Sequence, residues 1–196
     1  MQRNREEACQ ILGINLSVNK EKYLGLPLIV GCNKKGEFRE IKENLMKKVS
    51  NWSSRMLSVG RRKVLIKAVL QATPMYTMYC FLLPNSFSKE LEAVIAKFWG
   101  QKKVGRKGLH WCSWNLLCIS KNEGGMGFRD LAKFNIDLLE KQGWRLIETP
   151  DSLIARLIRV KYYHGSNFME APLGLNPSLI WRYIWGSKAL LKFGLR

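Results

Sequence analysis

Carboxylates, histidines and thiols are the residues to test first for chemistry, and here they are few. The chain has three aspartates, Asp130, Asp137 and Asp151, and two histidines, His110 and His164. A polymerase-type two-metal site needs carboxylates that clamp two cations about 4 Å apart. Paired aspartates on a tight strand turn would supply them, and the chain has no Asp-Asp. Asp130 and Asp137 read as a helix cap and a solvated surface charge, so no catalytic residue is assigned. His110, Cys112 and Cys118 form H-x-C-x5-C, which offers three ligand types suited to zinc. That spacing fits no standard finger, and a fourth ligand is not evident. Buried thiols packed with Trp111 and Trp114 are the stronger reading, and no metal residue is assigned. Gly124, Gly125 and Gly127 resemble a phosphate-cradling loop. They lack the Walker lysine-serine pair and a clear preceding strand, so they read as a turn.

The cations are a different matter. From Asn44 to Lys89 there is no acidic residue, while Lys47, Lys48, Arg55, Arg61, Arg62, Lys63, Lys67 and Lys89 are all present. A one-signed face of this kind suits a polyanion, and the commonest is nucleic acid. Lys63 and Lys67 stand one helical turn apart and can reach neighbouring phosphates. Arg61 and Arg62 fall at a helix start, where backbone N–H groups also favour an anion. A second acid-free basic stretch, between Gly100 and Gly108, holds Lys102, Lys103, Arg106 and Lys107. A solvated cationic face is the plain alternative, and the missing acids argue against it. Bases can also stack on exposed aromatics. Trp52, Trp99, Trp144 and Trp181 fall on or beside apolar helix faces, so core packing is expected of them.

Helical periodicity supplies the elements that must position these groups. Phe38, Ile41, Leu45, Val49 and Trp52 recur at spacings of three and four, an amphipathic helix. Val64, Leu65, Ala68, Val69 and Ala72 are expected to form the buried face of a second helix, with Lys63, Lys67 and Gln71 on another side. Pro74 ends or kinks it. Ser86 or Ser88 is expected to cap a helix carrying Leu91, Ile95, Phe98 and Trp99. Asp130 caps the next, Thr149-Pro150 stops it, and Asp151 or Ser152 starts another through Tyr163. Asn176-Pro177 is expected to open the last helix. Tyr23 to Val30, YLGLPLIV, reads as a short extended segment. The expected class is mainly α: a helical thumb-like bundle, then a second helical region, with a short β segment near the N-terminus.

Composition bounds the rest. The 196 residues are 46% hydrophobic, enough for one large or two small cores. Net charge is +18 and is spread along the whole chain. Like charge spread this way costs self-repulsion, which a bound polyanion would relieve. Five cysteines with no CxxC argue for a reducing, intracellular compartment, nucleus or cytoplasm, and against secretion. The N-terminus has no apolar signal core. The most apolar stretch, Val64 to Pro84, is interrupted by Lys67, Gln71, Thr73 and Pro74, so no membrane span is expected.

The order of the pieces is specific even though each piece is weak. YLGLP (23–27), NWSSRMLSVGRRKVLIKAVLQATPMYTM (51–78), FLLP (81–84), KFWG (97–100) and HWCSWNLLCISKNEGGMGFRDLAKFN (110–135) follow one another. LLEKQGWRLI (138–147), SLIARLIRVKYY (152–163) and PSLIWRYIWGSKALL (177–191) complete the series. Together they resemble the C-terminal part of the reverse transcriptase of plant LINE-type non-LTR retrotransposons. The resemblance implies a palm remnant with a primer-grip-like hairpin at Tyr23, Leu24 and Gly25 (residues 1–35). It implies a helical thumb that tracks template and primer (36–108) and a post-thumb linker (109–196) before a zinc-binding module. The family's fingers and aspartate-bearing palm strands have no counterpart here. The resemblance therefore implies a piece that cannot polymerise by itself, needs no cofactor, and leaves Mg²⁺ to the full polymerase. Its expected partners are RNA or an RNA–DNA hybrid, held by the backbone, and the remainder of the reverse transcriptase. An inactive relic of a retroelement reading frame, a helical protein-interaction module, and a thumb acting in trans with a separate palm are the alternatives.

Overall fold

The computed structural model describes residues 22–23, 26–27, 36, 38–53, 57–100 and 112–194. The chain divides into two units, residues 1–37 and residues 38–196. In the first, Lys22–Tyr23 pairs antiparallel with Leu26–Pro27, Lys22 opposite Pro27 and Tyr23 opposite Leu26. Pro27 has no N–H to donate, so the ladder cannot be extended through it. Two residue pairs do not establish the short β segment as an element of the fold. Leu24 and Gly25 lie outside the described residues.

The second unit is mainly helical. Helix α1 (Arg39–Ser53) follows the predicted spacing, with Phe38 and Leu45 buried and Ile41, Val49 and Trp52 half-buried. It lies against α4 (Asn85–Gly100). Phe38 meets Phe87 with ring centroids 6.2 Å apart, Lys42 Nζ reaches Glu90 Oε2 at 2.7 Å, and Trp52 meets Phe98 at 6.1 Å. The partners ascend together, so the two helices run parallel. Parallel neighbours need a long return connection, and the basic region of the chain is that connection. It comprises α2 (Val59–Leu65), a π-helical segment (Ile66–Leu70) and α3 (Met75–Cys80).

Two local expectations fail here. The buried side of the α2 and π segment is Ile66, Leu70 and Gln71, whereas Val64, Ala68 and Ala72 are exposed. Gln71 N donates to Ile66 O at 2.9 Å, an i to i−5 bond that widens the turn where Gln71 joins Leu70 on the buried side. Neither Ser86 nor Ser88 caps α4. That helix begins at Asn85, and the Pro84 carbonyl accepts from Phe87 N and Ser88 N at 2.9 and 3.0 Å.

Helix α5 (Trp114–Cys118) and a 3₁₀ turn (Lys121–Glu123) lead to α6 (Leu131–Glu148). Asp130 caps α6 as predicted, its Oδ1 accepting from Lys133 N at 3.0 Å. Glu92 of α4 adds a second carboxylate there, accepting from Leu131 N at 2.7 Å. Negative charge at this end complements the helix dipole. Helix α6 packs on α3 and α4 and also on α7 (Leu153–Tyr162), α8 (Leu179–Gly186) and α9 (Lys188–Gly194). Asn135 is the polar fastener. It is buried, accepts from Leu83 N at 2.7 Å, and donates to Met78 O and Phe81 O at 2.9 and 3.0 Å.

A C-terminal core gathers Leu146, Ala155, Tyr163, Phe168, Ala171, Trp181, Ile184 and Leu191. Gly143 lets α9 approach: a β-carbon there would stand 2.8 Å from a Leu191 methyl. Ser152 caps α7, accepting from Ala155 N. Helix α8 is capped by Ser178, not Asn176, because the Ser178 hydroxyl accepts from Trp181 N at 3.2 Å and Pro177 falls before the cap. Trp181 is buried as predicted. Trp144 is 39% exposed, since the buried face of α6 runs through Leu139, Gly143 and Leu146 and leaves it outside. Among the described residues, no helix is long and apolar enough to cross a membrane.

Candidate nucleic-acid interface

The described cations of the acid-free run differ in their surroundings. Arg62 is drawn inward, its NH1 donating to Trp99 O at 2.9 Å. It thereby satisfies a carbonyl in the last turn of α4, where positive charge is favoured. Lys48 Nζ donates to Thr73 Oγ1 at 3.1 Å and ties α1 to the stretch between the π segment and α3. Lys47 and Arg61 are exposed, and Ser58 at the start of α2 accepts from Arg61 N. Lys89 is exposed on the first turns of α4. Arg55, Lys102, Lys103, Arg106 and Lys107 lie outside the described residues, as do His110 and Trp111.

Lys63 and Lys67 remain, and the fold adds two cations that the sequence reading did not single out. Burial depresses the Lys67 pKa, and the charges of Lys121, Lys63 and Arg129 depress it further. All the named charges acting on Lys67 are therefore positive. Lys121 and Arg129 arrive on the returning loop, whose shape depends on glycine. Gly124 and Gly127 have φ of +88° and +62°, which side-chain-bearing residues rarely adopt. A β-carbon on Gly125 would overlap the Ile119 carbonyl. A β-carbon on Gly127 would stand 3.2 Å from Lys67 Nζ, so the amine lies directly over this loop.

The loop itself is no phosphate cradle. Gly124 N donates to Lys121 O, Gly125 N to Ser120 O, Met126 N to Leu117 O and Gly127 N to Ile119 O. Those N–H groups are occupied in holding the turn and do not point at a ligand. What the loop does is present side chains. Arg129 is set by its guanidinium over the Phe134 ring, 4.3 Å from the centroid, and by NH1 to Met75 Sδ at 3.7 Å. Its carbonyl accepts from the buried Gln71 side chain at 3.4 Å, which joins the loop to the end of the π segment. No signal in the local sequence pairs Lys121 or Arg129 with Lys67; only the return of the loop does so.

Cys118 is pushed up to about 11 by burial, with the charges of Glu92 and Asp130 adding to it. Cys112 is exposed, and Cys80, Cys112 and Cys118 are all free. Among the described residues, no three His, Cys, Asp or Glu side chains are grouped to hold an ion.

A helical unit with a loop-supported cationic cluster is the class of protein that fold and site define. No protein-family model matches the chain. It is 41% identical over 125 residues to the "Uncharacterized mitochondrial protein AtMg00310" of Arabidopsis thaliana, a match covering 63% of this chain and 81% of that protein. The chain belongs to the family of that mitochondrial protein. It is also 32% identical over 171 residues to the "Putative ribonuclease H protein At1g65750" of the same plant. That match covers 87% of this chain but 27% of the relative, so the chain spans a minor part of the longer protein.

Proposed function

We propose that the chain is a non-catalytic piece of a plant non-LTR retroelement reverse transcriptase, and that it binds template–primer nucleic acid through the surface around Lys63 and Lys67. The observation that carries this reading is the convergence of Lys63, Lys121 and Arg129 on Lys67, whose charged form they disfavour after burial has already done so. Phosphates placed there would cancel that repulsion. The ordered motifs from YLGLP to PSLIWRYIWGSKALL support the retroelement origin. So does the similarity to part of a protein named as a putative ribonuclease H. On this reading, residues 36–108 are the thumb, 109–196 the post-thumb region, and 1–35, with Tyr23, Leu24 and Gly25, the palm remnant. The ligand is RNA or an RNA–DNA hybrid, contacted through its backbone with little sequence preference. The other partner is the rest of the polymerase, which would also hold the Mg²⁺.

A titration against an RNA–DNA hybrid at graded salt tests the reading. Each neutralised phosphate contributes about −0.9 to the slope of log affinity against log salt on a duplex, so four cations predict about −4. Replacing Lys63 and Lys67 by Glu should weaken binding at least tenfold more than the same change at the exposed Lys141 and Lys192. Equal losses would reduce the site to bulk charge. Primer extension on an RNA template by this chain should be nil, and incorporation above background would overturn the non-catalytic assignment.

A further inference from the structure

Helix α7 carries apolar side chains on two opposite faces. Successive residues turn by about 100° around an α-helix. Ala155, Ile158 and Tyr162 therefore share one sector; Ala155 is buried and the other two are half-buried against the C-terminal core. Leu153, Leu157 and Val160 share the opposite sector and are 73%, 62% and 70% exposed. A helix apolar on both sides is ordinarily covered on both sides. The spacing of the outer three is i, i+4, i+7, the set of anchors that one helix presents to another. Arg156 borders the stripe on one side and Lys161 on the other, and α7 contains no acidic residue. Arg159 turns away toward a cavity of about 430 Å³ beside Glu170 and Asn167.

We propose that this outward stripe docks an acidic amphipathic helix of a protein partner. The partner's apolar residues would lie on Leu153, Leu157 and Val160, and its carboxylates would face Arg156 and Lys161. Charge selects this occupant. A second copy would bring a net charge of +18 against +18, with cationic flanks against cationic flanks. Anionic flanks reverse that cost and make the pairing specific. Ile154, 53% exposed, stands beside Lys161 at the edge of the stripe, and the vesicles in the test separate a lipid surface from a helix partner. This surface shares no residue with the Lys63–Lys67 cluster, and it stands whether or not the chain binds nucleic acid.

The test uses the full chain and a labelled synthetic helix with leucines at i, i+4 and i+7 flanked by glutamates. Three comparators complete it: the same peptide with the leucines changed to serine, the same peptide with the glutamates changed to lysine, and phosphatidylserine–phosphatidylcholine vesicles. The acidic leucine peptide should bind at least tenfold more tightly than either altered peptide. Leu157→Asp should weaken it at least tenfold without moving the thermal midpoint, and Leu157→Ser should weaken it as well if Leu157→Asp fails to fold. Arg156→Glu with Lys161→Glu should transfer preference to the lysine-flanked peptide. Equal binding of the serine peptide would assign the interaction to bulk charge and overturn the proposal. Vesicle binding without peptide binding, or self-association abolished by Leu157→Ser, would overturn it too.

Discussion

The Lys67 amine lies 3.2 Å from the point that a β-carbon on Gly127 would occupy. One residue belongs to the basic connection between two parallel helices, and the other to a loop that returns much later in the chain. Their meeting brings Lys121 and Arg129 up to Lys63 and Lys67, so that a run of sequence becomes a cluster in space. The same loop is pinned by Gln71, the polar residue that the π segment turns inward.

The glycines of this loop should rank by what they meet. Gly127→Ala forces a side-chain-bearing residue to φ +62°, a cost of about 1–2 kcal/mol, and displaces only a flexible amine. Gly125→Ala meets the Ile119 backbone, which cannot give way without opening the turn. Urea midpoints should fall further for Gly125→Ala. The reverse order would mean that the loop is not built as described.

Arg62 and Lys63 are adjacent yet should fail in different assays. Arg62→Ala removes a charged hydrogen bond to Trp99 O, worth about 1.5–3 kcal/mol, and should lower the thermal midpoint while leaving the affinity of the folded chain nearly unchanged. Lys63→Ala should leave the midpoint within about 0.5 kcal/mol of wild type and weaken hybrid binding. Thermal scans paired with binding isotherms separate the two.

Asn135 should be among the most sensitive polar positions. Asn135→Ala strands Leu83 N, Met78 O and Phe81 O away from water, with a loss of about 3 kcal/mol or more from several unpaired buried groups. Asn135→Asp should be worse near neutrality, because a carboxylate then faces two carbonyls. Lowering the pH restores a donor by protonation, so its deficit relative to Asn135→Ala should shrink in acid. Chemical denaturation at both pH values checks this.

Lys188 should make stability rise with alkalinity. It is buried, its Nζ donates to Ala171 O at 2.6 Å, and it lies 4.9 Å from the Phe168 ring and 5.4 Å from the Trp185 ring. Burial, with Lys192 adding, lowers its pKa from 10.5 to about 8. A folded pKa below the unfolded one means that the unfolded chain holds the proton more tightly. The stability linked to this group is full above the unfolded pKa and is lost as pH falls through about 8. Lys188→Met should remove that dependence, and a parallel slope in both proteins would refute the assignment.

Much of the fold was legible because local rules suffice for it. The periodicity of Phe38 to Trp52 marks α1, and Asp130 and Ser152 cap the helices that follow them. In the basic connection Ile66 and Leu70 are buried while Val64 and Ala68 are exposed, and nothing in LIKAVLQ announces the i to i−5 bond at Gln71. Of the candidate cations, Arg62 and Lys48 also bond within the fold, to Trp99 O and to Thr73, partners that no local pattern announces. The outward stripe of α7 was hidden because apolar residues on both sides of a helix look like an ordinary buried segment.

Composition and spacing by themselves determined a mainly helical chain with a strong positive balance and no paired aspartates, because charge totals and helical period are properties of neighbours. Tertiary structure decided which cations stand together. Lys67, Lys121 and Arg129 meet only because three glycines permit the loop to turn back and Gln71 holds it there. Contacts between groups distant in sequence depend on packing, and no local propensity encodes them.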